Sequence, residues 1–358
     1  MERITSFKRS LGAIISCGFA RRQRTNPAAT LRILSMHGTS VLMSGLGSLV
    51  LSSHEIYIVD QQFKRTLQNL LKLSVNSPAS LVCFTAGSLP GTAILHQRQL
   101  SLFGMICRLP NDFLNQHAHQ VLLSSSPASK SWFLQIRDLL LQYKLPHPLQ
   151  LLENPPTKEA FRKLVKSKLF DYWEVKFRSE SSVLPSLPYF HPEFLSLRAP
   201  HRLWTTAGRK PYEVAKARIQ LLFLSSQYPC GKLTKNWSLT NPEGFCTFED
   251  CLNSSQLESP EHILMNCPAY STVRTKMISM CLNVKHPITK SLVTRILLTN
   301  STEKIMQLLL DCSSMPNVVK SAQVYGDQIY NDLFYLSRNW CFSVHRERMK
   351  RLGLWNFR

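Results

Sequence analysis

The spacing of apolar residues constrains the fold of this chain more than any other feature of its sequence. Phe63, Leu67 and Leu70 recur at intervals of three or four residues, so they share one face of a helix that Asp60 can cap. Similar stripes recur through most of the sequence. Glycine accounts for only 13 of 358 residues, roughly half its average frequency, which disfavours turn-rich β folds. The sequence therefore predicts a mainly α fold, arranged as a helical chain of several lobes.

Further helices are predicted from the same periodicity and from the positions of proline. They lie at 94–109, ending before Pro110, at 129–143, 158–177, 211–224, 269–281, 285–298 and 302–311, and from about Gln328 onward. The helix at 158–177 is expected to bury Phe161, Val165, Leu169, Tyr172 and Trp173. Residues 181–201 contain Pro185, Pro188, Pro192 and Pro200. Proline at this density predicts an ordered loop or a linker.

The charge balance of the chain is strongly basic. There are 43 Lys and Arg residues against 22 Asp and Glu residues, a net charge of +21. A chain with this excess of one sign repels itself unless a polyanion neutralises it, and nucleic acid is the commonest such partner. RNA or single-stranded DNA is therefore the expected partner.

Cysteine usage and the apolar runs bear on the compartment. Ten cysteines in 358 residues are too dilute for a secreted disulfide scaffold, which indicates a reducing compartment. The longest apolar run, Val41–Leu51, is broken by two glycines, whereas a membrane span needs about 20 residues. The sequence predicts no transmembrane helix and a nuclear or cytoplasmic location.

The N-terminal segment leaves a second location open. Within residues 1–35, Glu2 is the only acid. The basic residues of this segment are Arg3, Lys8, Arg9, Arg21, Arg22, Arg24 and Arg32. Arg-rich, acid-poor starts are typical of mitochondrial transit peptides, and the alternative is a basic helix and loop of the first domain.

A group of cysteines and a histidine lies at the spacing Cys246-x4-Cys251-x10-His262-x4-Cys267. Two cysteines on a loop, followed by His and Cys on a short helix, can surround Zn²⁺ tetrahedrally. Ser259 can cap that helix, and the proline after the last cysteine ends it. Four protein ligands leave no open position, which predicts a structural zinc ion in a small inserted CCHC knuckle. The alternative is three unrelated core cysteines beside a helix-capping histidine.

Several phrases of the sequence resemble one family. CTFEDC and SPEHILMNCPAY resemble the Cys–His knuckle downstream of the reverse transcriptase domain in non-LTR (LINE-type) retrotransposons. Residues 26–51 and 88–110 resemble the thumb that follows the polymerase palm, and residues 332–353 resemble the tail of these proteins. The resemblance implies that the chain corresponds to the part after the palm, and that Met1 is an internal methionine of the longer protein.

The resemblance and the predicted helices together imply four regions. They are a thumb-like helical region at 1–110, a basic helical connector with the Pro-rich loop at 111–240, a CCHC zinc-knuckle region at 241–283 and a C-terminal basic helical region at 284–358.

The chain departs from the family where catalysis is concerned. A reverse transcriptase needs carboxylates that hold two Mg²⁺ ions, usually from an Asp-Asp turn. This sequence has no Asp-Asp pair, and Asp327 and Asp332 stand five residues apart without a third carboxylate in a suitable place. It also lacks a Gly-x-Ser-x-Gly elbow and a glycine-rich phosphate loop. We therefore expect no enzymatic activity from this chain, and no small-molecule substrate is apparent.

Three basic stretches are candidate nucleic-acid contacts, and in two of them interleaved aromatic residues could stack bases while the cations hold phosphates. The candidates are Arg202, Trp204, Arg209, Lys210, Lys216 and Arg218 in residues 198–218, and Arg346, Arg348, Lys350 and Arg351 in residues 338–358. Trp340 and Trp355 accompany the second stretch. The third stretch is the 158–178 helix, with seven basic residues against three acidic ones. The alternative is a set of solvated helical faces whose aromatic residues lie in the core.

Taken together, the sequence predicts a non-catalytic, zinc-containing, nucleic-acid-binding remnant or co-opted fragment of a LINE-type reverse transcriptase. Three alternatives stay open: an unselected transposon relic, a basic mitochondrial helical protein, and an enzyme that works only with a palm supplied in trans. The sequence leaves the oligomeric state and the kind of nucleic acid undetermined.

Overall fold

The computed structural model describes residues 2–16, 25–109, 113–124, 131–234, 241–249, 251 and 256–354. Within these ranges the regular secondary structure is helical, apart from one antiparallel bridge between Phe245 and Leu257. The prediction of a mainly α fold is confirmed. Pro110, Ser129 and Trp355, on which parts of the sequence analysis rest, lie outside the described residues.

The N-terminal part of the chain is a series of helices joined by short turns. They are α1 (Glu2–Ile14), α2 (Pro27–Ile33), α3 (Thr39–Met43), α4 (Ser53–Leu71), α5 (Ala79–Ala86), α6 (Gly91–Ile106) and α7 (Phe113–Ser124). A π-helical turn, Leu34–Gly38, joins α2 to α3. The helix predicted at 94–109 is α6, which begins just after Pro90.

The start of α4 differs from the prediction. Ser52 and Glu55 form a capping box, in which each side chain accepts the backbone N–H of the other residue. Asp60 therefore lies inside α4 rather than at its end. Its carboxylate accepts the backbone N–H of Thr92 at 2.9 Å, so it caps the first turn of α6 instead. The assignment of Asp60 as the cap of its own helix was wrong, because a stronger cap precedes it.

The pair α5 and α6 forms a deeply buried part of the core. Gly87 ends α5 with φ at 64°, and a Cβ at this position would overlap the carbonyl group of Ala199, so glycine is required there.

Among the described helices, no single one is long and apolar enough to cross a membrane, whereas α5 and α6, bent by 66°, meet that criterion as a pair by length and composition only.

The middle of the chain contains one long helix and several short ones. They are α8 (Trp132–Gln142), α9 (Pro148–Glu153), α10 (Lys158–Ser182), α11 (Arg202–Thr205), α12 (Pro211–Leu224) and α13 (Gly231–Thr234). The Pro-rich segment after α10 is an ordered loop with one 3-10 turn, Pro192–Phe194. Arg178 fixes it by donating to the carbonyl oxygens of Pro192 and Leu195 at 3.2 and 2.9 Å. The prediction of an ordered loop is confirmed.

The C-terminal part consists of α14 (Ser271–Leu282), α15 (Pro287–Leu298), α16 (Thr302–Asp311), α17 (Pro316–Tyr325) and α18 (Gln328–Arg351). Helix α17, like α5 and α7, was not predicted from the sequence, and its buried side chains are limited to Val318 and Ala322. Its usable signal is Pro316 at the first helical position.

Helix α18 organises this half of the molecule. It packs against α12, α14, α16 and α17. Buried side chains from Phe7 in α1 to Val344 in α18 belong to one hydrophobic cluster. The region boundaries proposed at 110, 240 and 283 stay predictions.

Candidate metal centre

Four side chains converge between α13 and α14. The Sγ atoms of Cys246, Cys251 and Cys267 and a ring nitrogen of His262 all lie within 4.8 Å of one another, and all four residues are buried. The Sγ of Cys267 is 3.9 Å from that of Cys246 and 3.5 Å from that of Cys251. His262 Nε2 is 3.7 Å from the Sγ of Cys251. The structure thus brings together the four residues that the spacing singled out.

Local backbone geometry explains how residues 16 and 21 positions apart reach one point. The Phe245–Leu257 bridge brings Cys246 beside the segment that leads to the short helix. That helix begins after Ser259, whose Oγ accepts the backbone N–H of His262 at 3.1 Å. The turn His262–Asn266 is π-helical, and the N–H of Cys267 donates to the carbonyl oxygen of His262 at 2.7 Å. The wider turn places the side chains of its first residue and its C-cap on the same side.

The donor atoms match the dimensions of a tetrahedral site. With Zn–S bonds of about 2.3 Å, the edges of a regular tetrahedron measure about 3.8 Å. The three measured separations of 3.5–3.9 Å agree with that value. Thiolate and imidazole ligands select soft or borderline cations over Ca²⁺ and Mg²⁺. The Cys3His group can therefore hold a metal ion such as zinc.

The pKa values of two thiols in this group, Cys246 and Cys267, shift in opposite directions. The pKa of Cys246 is lowered to about 4, because the Cys267 thiol donates to its thiolate. The pKa of Cys267 is raised, because its S–H is retained by that hydrogen bond and ionisation would place a second charge beside the first. The Cys246 thiolate thus forms readily, while the Cys267 thiol holds its proton until a cation stabilises its thiolate.

Hydrogen bonds tie the centre to the surrounding helices. Arg274 in α14 donates to the carbonyl oxygen of Cys267 at 2.6 Å. Trp340 in α18 donates to the carbonyl oxygen of Leu264, inside the π-helical turn, at 3.4 Å. These contacts fix the turn that carries His262 against two helices of the C-terminal half.

A buried ion pair reinforces the same connection. Arg348 in α18 contacts both carboxylate oxygens of Glu258, with Nε–Oε1 at 3.1 Å and Nη2–Oε2 at 3.0 Å. Glu258 also accepts the backbone N–H of Gly231 at 2.6 Å. A Cβ at Gly231 would overlap the carbonyl oxygen of Gly244, so this approach needs glycine. Sequence analysis missed Glu258, because its partner lies 90 residues away.

A second buried pair joins distant segments away from the metal centre. His201 Nε2 lies 3.3 Å from Asp311 Oδ2, and both side chains are buried. The His201 Nδ1 accepts the backbone N–H of Leu203, and Asp311 also accepts the hydroxyl of Ser313. Both imidazole nitrogens are engaged and Ser313 bonds to the aspartate, so this trio lacks the arrangement of a serine nucleophile and its base. It links α11 to the end of α16.

Three of the sequence-predicted nucleic-acid contacts are wrong. Trp204 is fully buried, so its ring is not available to stack a base. Lys216 is buried as well, with its ammonium bonded to Glu213 at 2.7 Å and to Asn339 at 2.6 Å. Arg348 is buried with Glu258. Packing between helices, which the local sequence does not show, decides these cases.

The remaining candidates lie at or near the surface. Arg209, Lys210, Arg346, Lys350 and Arg351 are exposed. Arg351 lies 3.5 Å from Glu347, and the partly exposed Arg202 is paired with Asp327 at 2.8 Å. The half-buried Arg218 donates to the carbonyl oxygen of Thr25.

The aromatic residues of these stretches offer little open ring surface. Trp340 is buried. Tyr212 is 50% exposed, but the Lys216 ammonium lies 4.4 Å from its ring centroid and Phe342 packs against it edge to face.

Comparisons with protein-family models, with curated proteins and with solved structures find no match to this chain. Its resemblance to the LINE-type proteins therefore rests on the motif residues alone.

Proposed function

We propose that this chain is a zinc-containing nucleic-acid-binding protein without catalytic activity of its own, corresponding to the region after the palm of a LINE-type reverse transcriptase. The observation that carries the proposal is the buried Cys3His group, whose four donors lie within 4.8 Å of one another on a strongly basic helical body. A structural zinc ion accounts for that geometry, since four protein ligands occupy every position of a tetrahedron.

Nucleic-acid binding is supported by the charge and by where it lies. The net charge of +21 is carried in part by exposed side chains such as Arg209, Lys210, Arg346 and Lys350. Cations of this kind neutralise phosphates and release counterions, which is the main source of affinity for single strands. We infer that RNA or single-stranded DNA is the partner.

A non-catalytic role is supported by the hydrogen bonds of the carboxylates. Asp327 accepts a bond from Arg202, and Asp332 accepts bonds from Gln328 and Thr289. Both carboxylates therefore serve the fold around α18. Metal-dependent nucleotidyl transfer instead needs carboxylates that converge on two Mg²⁺ ions.

The N-terminal helix favours a nuclear or cytoplasmic location over import into mitochondria. Phe7 in α1 is fully buried in the hydrophobic cluster, and α1 packs against α3. A cleavable presequence would take that buried side chain out of the core, so the segment is better explained as part of the fold.

The proposal is tested by metal content and by oligonucleotide binding of the purified full chain. We expect one zinc per chain by elemental analysis. Fluorescence anisotropy with a labelled oligouridine should show binding whose log K falls with log salt at a slope of about −4, if about six phosphates are neutralised. A protein without zinc that binds no oligonucleotide at low salt would refute the proposal.

A further inference from the structure

A groove lies between the end of α8 and the middle of α10. It has a volume of about 350 Å³, and three lysines line it: Lys144, Lys168 and Lys176. Lys144 follows α8 in a left-handed backbone conformation, with φ at 52°. A lysine in that conformation is uncommon, and its backbone N–H is bonded to the carbonyl oxygen of Leu141 at 3.0 Å.

The groove carries an excess of positive charge. Among the described residues that line it, Asp171 is the only acid. Its carboxylate is already engaged, because Arg198 donates to Oδ1 at 3.1 Å and Ser167 donates to Oδ2 at 3.3 Å. Lys144 and Lys168 form no ion pair with a described residue, and the ammonium of Lys176 lies 4.6 Å from the ring centroid of Trp173. Three cations thus line the groove against one carboxylate, which Arg198 and Ser167 already engage.

An aromatic ring is held rigidly between these lysines. Tyr172 also lines the groove and is half buried. It packs edge to face on Tyr143 and on Trp173, with ring centroids 5.1 and 5.7 Å apart. Trp173 also donates a hydrogen bond to the hydroxyl oxygen of Tyr143. A ring fixed in this way stacks a ligand with little loss of its own conformational freedom.

We propose that this groove binds a nucleotide unit of a single strand, with a base on Tyr172 and phosphates on Lys144, Lys168 and Lys176. This inference rests on the proposed nucleic-acid-binding function. The volume of the groove lies within the range of about 300–1,000 Å³ for small-ligand sites. Unpaired cations around an aromatic ring are the chemistry that holds single-stranded nucleic acid without sequence preference. The contact thus lies at the end of α8 and on α10, within the lysine-rich 158–178 helix.

The test compares two variants that lose the same charge. The groove variant is Lys144→Gln, Lys168→Gln and Lys176→Gln. The control variant is Lys290→Gln, Lys304→Gln and Lys320→Gln, at three exposed positions outside the groove and the basic stretches. Each lysine that contacts a phosphate contributes about 0.7 to the salt slope, so the groove variant should flatten it by about two units and weaken oligouridine binding about 100-fold at 0.1 M salt. The control should weaken binding at least tenfold less.

Stacking is tested separately by Tyr172→Leu, which should weaken oligouridine binding about 5- to 150-fold without changing the salt slope. Circular dichroism melting of each variant identifies those that remain folded. Tyr212→Leu, in α12 and outside the groove, is the matched control and should bind like the wild type.

The outcomes separate the two proposals. If the wild-type chain binds no oligouridine at low salt, the proposed function fails. If the wild type binds but the control charge variant loses as much affinity as the groove variant, the groove assignment fails while the proposed function stands. Protection of the groove by uridine monophosphate, measured as slower acetylation of its lysines, would support the site independently of the oligonucleotide.

Discussion

His96 shows how burial changes the chemistry of a single side chain. Its Nδ1 lies 2.8 Å from the hydroxyl of Tyr143, which in turn accepts a hydrogen bond from Trp173 at 3.2 Å. Tyr143 therefore donates to a neutral imidazole. Burial lowers the pKa of His96 to about 4. Protonation of His96 would stop its Nδ1 from accepting the Tyr143 hydroxyl and would leave a charge in the core.

This shift predicts a pH dependence of stability. The unfolded chain takes up the His96 proton near pH 6.5, whereas the folded chain resists it down to about pH 4. Stability is therefore complete above pH 6.5 and falls as the pH is lowered towards 4, by about 2 kcal/mol between pH 6.5 and 5. Thermal melting of His96→Gln should show a smaller loss of Tm over that interval than the wild type.

His345 is a second buried histidine that contributes to the pH dependence of stability. Burial, aided by Arg348, lowers its pKa to about 4 as well, so the His96 variant should keep part of the pH dependence. His54→Gln, at an exposed position, should melt with the same pH dependence as the wild type. A His96→Gln variant that behaves like His54→Gln would contradict the assignment.

At the scale of elements, we expect the segment that carries the Cys3His group to depend on a bound ion and on the helices packed against it. The prediction for the ion is direct: Cys251→Ala should lose stoichiometric zinc and lower the Tm, because binding and local folding are coupled in small metal sites. Elemental analysis and melting with and without a chelator measure both effects. Cys281→Ala removes a buried cysteine outside the group and should retain one zinc per chain.

The Glu258–Arg348 pair yields a second prediction for this segment. Removing either partner leaves a buried charge unpaired, so Glu258→Gln or Arg348→Met alone should lower the free energy of unfolding by about 3–5 kcal/mol. The double variant should recover a large part of that loss, because neither charge remains. Denaturant unfolding of the four proteins in the cycle gives the coupling energy, and additive losses would show that the pair does not act as a unit.

At the scale of the whole molecule, charge and catalysis lead to separate expectations. We predict no primer extension on an RNA template by this chain alone, since Asp327 and Asp332 are bonded within the fold around α18 and catalysis needs convergent carboxylates. A polymerase assay with Mg²⁺ or Mn²⁺, and a known reverse transcriptase as positive control, measures this. Robust extension that depends on either aspartate would overturn the prediction.

Most of the longer helices and the four residues of the Cys3His group were predictable from the sequence, because both depend on short-range patterns. Apolar periodicity and proline predicted α12 and the start of α18 at the observed residues. The four ligands lie within 22 residues, so spacing and ligand chemistry were enough to single them out. Helices α5, α7 and α17 were missed, among other shorter ones, and the cap of α4 was misplaced.

Which charged and aromatic side chains face solvent was decided only by the tertiary structure. Trp204, Lys216 and Arg348 occupy basic stretches that the local sequence could not distinguish from a surface. Their burial depends on partners far along the chain: Lys216 bonds to a residue 123 positions away, and Arg348 to one 90 positions away. Exposure follows from how helices pack around a common core, and the free energy of burying a charge depends on a partner that only the folded chain supplies.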